Sequence, residues 1–291
     1  MSAVPPPERS IAIFGPGLLG GSLALAVKQY WPQVQVRLWG RREEAVQLVL
    51  QRGIADMAST DAAEVAQSAS LVVLATPVVV MEQVSLALQS RLASDAVVTD
   101  VGSVKGSVVS VLEPLFASAG VPFVGSHPMA GSEATGIDAA RADLFAGATC
   151  ILTPTAQTQP AALFRVHAFW SALGCRLLSM NVQEHDRKVA RISHLPHAAA
   201  FALVRAALQA DPTAAECAGN GFRDTTRIAG SDPDLWSGIL LENQSEVVAA
   251  LQDAVTDLQD LLAIVRGSDK EHLRQYIAKA QELKRASRRK H

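Results

Sequence analysis

Cysteine is scarce, with three in 291 residues, and Cys150, Cys175 and Cys217 stand far apart with no CxxC or Cys/His ligand spacing. An odd, dispersed set excludes a disulfide framework and a zinc site and points to a reducing compartment. An excess of charge of one sign is also lacking: 26 Lys and Arg face 28 Asp and Glu, a formal net charge of −2. That balance argues against a nucleic acid or an anionic membrane as partner and leaves a small molecule as the expected ligand. No stretch approaches the roughly 18–20 uninterrupted apolar residues of a membrane span, and the opening MSAVPPPERS lacks the apolar core of a secretory signal. The cytoplasm is therefore the expected location. Proline and glycine, 14 and 19 residues, are too few for a low-complexity chain, and no internal repeat is found.

What is present is apolar: 49% of the residues are hydrophobic and only 19% charged, enough for a sizeable core. At roughly 100–200 residues per domain, two compact units are expected. Ile11 to Phe14, Val34 to Trp39, Leu71 to Ala75, Ala96 to Thr99 and Pro122 to Val124 read as strands, some as continuous apolar runs suited to a sheet covered on both faces. Leu18–Val27, Arg42–Arg52, Val78–Arg91 and Ser107–Ala119 lie between them as crossover helices. Alternating strands and helices predict a doubly wound parallel sheet. Beyond Met180 the pattern becomes helical, with Ala/Leu-rich segments at Val182–Gln209 and Pro233–Val265. Val248, Leu251, Val255, Leu258, Leu262 and Val265 recur at steps of three and four, a seam that suits either a helix of the same chain or one of a second subunit. The basic run Lys284–His291 reads as a solvated helix end.

Gly15-Pro-Gly17-Leu18-Leu19-Gly20 fits GxGxxG and follows a strand and opens a helix, where a dinucleotide pyrophosphate needs it. After the second strand comes Gly40-Arg41-Arg42, with no carboxylate to hold a ribose 2′-hydroxyl. Two guanidiniums suit a 2′-phosphate, so NADP is expected over NAD, with Arg41 the first candidate and Arg42 the second. Glu43 and Glu44 follow and could neutralise both.

Three further stretches concentrate polar and small residues: Asp100-Val-Gly102-Ser103-Val-Lys105, Gly125-Ser-His127-Pro-Met-Ala-Gly-Ser-Glu133, and Ser193-His194-Leu-Pro196-His197 with Gly221-Phe-Arg223-Asp224-Thr-Thr-Arg227. The first two follow strands, whose carboxyl ends face the ligand crevice of such a sheet, so Ser103 and His127 belong near a nicotinamide. A histidine there can take a hydroxyl proton as hydride leaves the same carbon, and a serine can fix its tautomer. His194 and His197 share the spacing of a metal pair, but no third ligand and no HExxH glutamate accompany them, so no metal is expected. Arg223 and Arg227, one helical turn apart with Asp224 able to orient one of them, suit a substrate carboxylate.

These blocks resemble the prephenate and arogenate dehydrogenases of tyrosine biosynthesis. The resemblance runs from GPGLLGGS at 15–22 through Ala75-Thr76-Pro77, DVGSVKG at 100–106, GSHPMAGSEATG at 125–136, DLFAGATCILTP at 143–154 and ISHLPH at 192–197 to GFRDTTRIAGSDPDLW at 221–236. It implies a Rossmann-type domain over residues 1–180, an all-helical dimerisation domain over 181–291, a homodimer, and NAD(P)-dependent oxidative decarboxylation. It implies His127 as the catalytic histidine, Ser103 as its support and Arg227 on a substrate carboxylate. His197 is implied near the substrate side chain, with His194, Ser193 and Asp224 in the same pocket. Gly15, Gly17, Leu18, Leu19, Gly20, Thr76, Pro77, Gly102 and Ser103 would meet the cofactor along with the two arginines. The missing acid puts NAD in doubt but not the reaction. No regulatory or mutase domain fits in 291 residues, so a monofunctional enzyme is expected, with any tyrosine inhibition acting through the active site or dimer.

Prephenate is the first choice of substrate. Arogenate or use of both follows, and turns on whether groups such as Glu133 attract its ammonium. A β-hydroxyacid dehydrogenase or imine reductase shares the two-part plan but would be supported by a lysine base on the first long helix of the second part. There the SHLPH histidines stand, with Lys188 a full turn before them. A non-catalytic NADP-binding protein need not keep Ser103, His127 and Arg227 together.

Overall fold

The computed structural model describes residues 8–132 and 134–288. Glu133, the proline-rich leader and the end of the basic tail lie outside the described residues. The first half alternates: β1 (Ser10–Phe14), α1 (Leu18–Tyr30), β2 (Gln35–Trp39), α2 (Glu43–Gln51), β3 (Met57–Ser59), α3 (Ala62–Ala66), β4 (Leu71–Leu74), α4 (Val78–Leu88), β5 (Val97–Asp100) and α5 (Gly106–Ser118). It continues through β6 (Phe123–Pro128), β7 (Thr149–Thr153), α6 (Pro160–Ala172) and β8 (Arg176–Ser179). The eight strands form one sheet in the order β3-β2-β1-β4-β5-β6-β7-β8. The chain reverses direction of winding between β1 and β4, and their carboxyl ends open the crevice where such sheets bind ligands.

The strands are buried on both faces because successive side chains serve different cores. Ile11, Ile13, Leu71 and Val73 pack with Leu23, Val27, Phe169 and Trp170 on one side. Ala12, Phe14, Val72 and Leu74 pack with Met81, Leu88, Leu112 and Phe116 on the other.

The sheet departs from the expected all-parallel form at β6, which pairs antiparallel with β7, whereas β7 and β8 run parallel. The physical reason is the connection. Among the described residues, 129–148 hold one short 3₁₀ turn, Ile137–Ala139, and no crossover helix, so the chain returns reversed. Strands β3, β7 and β8 were not among those expected. β3 has three residues, and β8 is a largely exposed edge without apolar alternation.

After Ser179 the described chain is helical: α7 (Val182–Val189), a π-helical turn (Ala190–His194), α8 (Leu195–Leu208), α9 (Asn220–Thr226), α10 (Pro233–Glu242), α11 (Gln244–Arg266) and α12 (Lys270–Arg288). Val182–Gln209 is thus almost one helical run, with Pro196 in the first turn of α8 directly after the π turn. A wider turn accommodates the missing proline N–H, and such turns recur at functional sites. The expected run Pro233–Val265 breaks at Asn243, whose side-chain amide donates to the Asp186 carbonyl at 2.9 Å and lies 3.2 Å from His194 Nδ1. Compact units divide after Gln244. In the second unit, Tyr276 of α12 donates to Asp257 of α11 at 2.5 Å, and Val248, Val255, Leu258, Leu262 and Val265 leave an apolar seam exposed on α11. No described helix is long and apolar enough to cross a membrane.

Candidate active site

The glycine turn forms the first wall. Gly15 has φ +121°, and a Cβ there would stand 2.6 Å from the Ala75 carbonyl oxygen. At Gly20 a Cβ would collide with the Gly15 carbonyl, whereas Gly17 opens onto free space. First and third glycines thus close strand on helix, and the second leaves room for a ligand to approach backbone. Gly17 caps α1 with no side-chain bond, leaving the first N–H groups of a 13-residue helix turned to that space. Thr76, just beyond β4, has a buried hydroxyl without a hydrogen-bond partner. An open cradle, free helix amides and an orphaned hydroxyl fit a dinucleotide.

The adjoining cleft has a volume of about 600 Å³. Gly17, Leu18, Leu19, Thr76, Pro77, Gly102 and Ser103 line it, as do His127, Ser193, His197 and Arg227. Gly15 and Gly20 shape the turn from beneath without lining the cleft. Arg41 and Arg42 are exposed beyond β2, and neither forms an ion pair among the described residues, with Glu43 or Glu44 included. His194 is buried behind the wall, while Arg223 and Asp224 are exposed; none of the three lines the cleft. A separate concavity of about 640 Å³ lies at the amino ends of the strands, beside Arg9 and Arg165. There Arg165 is already spent on Glu8 and on the Asp95 and Ser70 carbonyls, so it offers no comparable chemistry.

His127 near the end of β6 is 5% exposed. Its Nδ1 meets His185 Nε2 at 2.9 Å, where the sequence had suggested Ser103. His185 Nδ1 in turn meets Asp186 Oδ1 at 2.7 Å. Burial, reinforced by His185, Lys105 and His194, pushes His127 well below the ordinary imidazole range. Burial also lowers His185, against the pull of Asp186. Burial works to raise the Asp186 carboxyl, but hydrogen bonds from His185 and from the Lys105 and Gly106 amides hold it low.

Lys105 and Asp100, both fully buried, form an ion pair that braces the loop before α5. Lys105 Nζ also donates to the Ser126 carbonyl at 2.9 Å, and Asp100 accepts from the Gly102 amide at 2.8 Å and the Ser126 amide at 3.1 Å. A buried ion pair with its remaining positions satisfied fixes geometry more than it adds stability. Here it fixes the backbone beside Ser103 and His127.

On the opposite wall His197 Nδ1 lies 2.9 Å from the Ser193 carbonyl, and burial lowers its pKa with Arg227 acting in the same sense. Trp236 of α10 completes this wall. His185, Asp186 and Trp236 are absent from the roles read in the sequence, although Trp236 lies within the block that carries the resemblance.

Residues 23–179 match the family described as prephenate dehydrogenase, nucleotide-binding domain, and residues 181–279 match prephenate dehydrogenase, dimerization domain. The chain belongs to the prephenate dehydrogenase family. It is 34% identical over 288 residues to a cyclohexadienyl dehydrogenase of Zymomonas mobilis, covering 97% of each chain. It is 32% identical over 282 residues to a prephenate dehydrogenase of Bacillus subtilis, covering 94% of this chain and 75% of that one. Among solved structures, the prephenate dehydrogenase of Aquifex aeolicus in complex with hydroxyphenyl propionate and NAD+ superposes with a TM-score of 0.88 at 34% identity, over 96% of this chain and 98% of that one. A Synechocystis arogenate dehydrogenase gives 0.80 at 29% identity, over 96% and 99%. A 3-hydroxyisobutyrate dehydrogenase of Salmonella typhimurium gives 0.63 at 13% identity over 87% and 94%, a likeness of fold alone. Membership makes the protein an oxidoreductase with a nucleotide-binding Rossmann domain.

Proposed function

We propose that this member catalyses NADP-dependent oxidative decarboxylation of prephenate to 4-hydroxyphenylpyruvate, a step of tyrosine biosynthesis. One observation carries the reading: the glycine turn, the buried neutral His127 and the Arg227 guanidinium face a single cleft. When bound, the nicotinamide supplies the hydride acceptor. Ser103 and His127 take the ring hydroxyl, and His127 accepts its proton as the C–H pair leaves the same carbon. The bond to the ring carboxylate then breaks and CO2 departs. Its electron pair makes the ring aromatic, and the oxygen recovers the proton from His127. Arg227 holds a substrate carboxylate and His197 faces the side chain, with Ser193 supplying the carbonyl that orients it.

Gly15, Gly17, Leu18, Leu19, Gly20, Thr76, Pro77 and Gly102 hold the dinucleotide on this reading, and the exposed Arg41, with Arg42, takes the 2′-phosphate. The functional division falls near residue 180, between cofactor-binding and helical halves. The exposed seam on α11 meets a second copy in a cytoplasmic homodimer. A second reading, arogenate, is favoured by the carboxylates of Asp232 and Asp234, which line the same cleft and suit an ammonium. Product analysis tests the reaction class. One CO2, one reduced cofactor and one 4-hydroxyphenylpyruvate are expected per prephenate, and cofactor reduction without CO2 would defeat it.

A further inference from the structure

The buried pair behind His127 has no part in the reaction outlined above, yet its hydrogen-bond polarity determines which form of His127 meets the substrate. We infer that His185 and Asp186 are positioning residues that hold His127 as its Nδ1–H tautomer and so present an unprotonated Nε2 to the cleft. The inference rests on the reading of His127 as the base and adds what makes it one.

Asp186 is the fixed end of the chain. Its Oδ1 accepts from the Lys105 amide at 2.9 Å and its Oδ2 from the Gly106 amide at 2.7 Å, so the carboxylate is anchored at both oxygens. An ionised carboxylate only accepts, so His185 Nδ1, 2.7 Å away, must carry a proton. A neutral His185 then has a bare Nε2. That nitrogen lies 2.9 Å from His127 Nδ1, which must donate to it. The remaining nitrogen of a neutral His127 is a bare Nε2, the state a general base requires. Reversing any link opposes two lone pairs or two protons inside a dry core.

The other titratable groups around the two rings are Lys105 with its partner Asp100, Cys150 of β7 and His194. None of them is hydrogen-bonded to either imidazole through a side chain, so the tautomer is set along the His185–Asp186 line. When Nε2 takes a proton, the same line sets a carboxylate behind the new positive charge.

A purely architectural role is the competing account, since Asp186 also pins the loop before α5. Three measurements separate the two. In His185→Leu, kcat should fall by about 100-fold or more, within the range that general acid–base catalysis contributes, with NADP affinity retained in the folded protein. In His185→Gln the carboxamide oxygen can accept from His127 and its N–H₂ can donate to Asp186, so kcat should recover to within about tenfold of native. ¹⁵N NMR of histidine-labelled protein, with His127 assigned by its loss in His127→Asn, should show the Nδ1–H tautomer in the native and Gln proteins. Free histidine favours the opposite form.

Native His127 found as Nε2–H would overturn the inference, as would His185→Leu turning over within about threefold of native. A Gln variant as slow as Leu while keeping the Nδ1–H tautomer would do the same. If His185→Leu does not fold, the native spectrum and the Gln variant still decide. Full turnover by His127→Asn would instead remove the base itself, whereas an inactive His127→Asn beside an active His185→Leu would remove only the positioning pair.

Discussion

The imidazole of His197 lies flat on the indole of Trp236, with ring centroids 3.5 Å apart and planes 20° apart. The stack joins α8 to α10 across the wall of the cleft. The Ser193 carbonyl fixes His197 Nδ1 as a donor, which leaves Nε2 of the neutral ring as an acceptor. Aromatic pairs of this kind contribute about 0.5–1.5 kcal/mol beyond their buried area. Trp236→Leu should therefore raise KM for prephenate by about three- to tenfold with kcat little changed. Steady-state kinetics check this, and an unchanged KM would show that the stack does not position the substrate.

Arg227 is exposed at the cleft, where its guanidinium can meet a carboxylate bidentately. If that contact is equal in ground and transition states, Arg227→Ala raises KM by at least about tenfold and leaves kcat near native. A fall in kcat at unchanged KM would place its contribution in the transition state.

Arg41 and Arg42 lie exposed beyond β2, unpaired with Glu43 and Glu44, and on the proposed reading they take the 2′-phosphate. Arg41→Ala should weaken NADP by about tenfold while leaving NAD within about twofold, measured by fluorescence titration. Equal losses for both cofactors would show that Arg41 does not read the phosphate.

Acid should weaken the fold through His194. Burial lowers its pKa from 6.5 to about 4, so the folded state holds it neutral where the unfolded chain protonates it. The unfolded state then binds more protons, and stability present above about pH 6.5 is lost as pH falls toward 4. At 1.36 kcal/mol per pKa unit, the loss from this group between pH 7 and pH 5 is about 2 kcal/mol. Urea unfolding of native protein and His194→Gln should show a steeper pH slope in the native protein, and equal slopes would contradict the assignment.

The sheet and the cradle are legible in the sequence because local pattern and function coincide there. Ile11–Phe14 is a buried strand by its apolar run, and Gly15 and Gly20 are demanded by a turn and a packing contact. Ser103 follows β5 and His127 lies near the end of β6, positions that point to the crevice without any structure. His185 and Asp186 are hidden for the opposite reason. They sit in VQEHDRKV, whose charged residues read as a solvated helix, and only folding against β6 turns two of them inward. The antiparallel β6–β7 pair is illegible because it depends on the absence of a crossover helix in a long connection. The break at Asn243 depends on a side chain capturing partners 49 and 57 residues away in sequence. Trp236 lies in view within the DPDLW run, but nothing in the sequence brings it against His197 of another helix.

The most direct test of the central claim is kcat/KM for prephenate and for arogenate, each with NADP and with NAD, followed by reduced-cofactor absorbance. Prephenate with NADP should give the highest value of the four. No reduction in any combination would contradict the account.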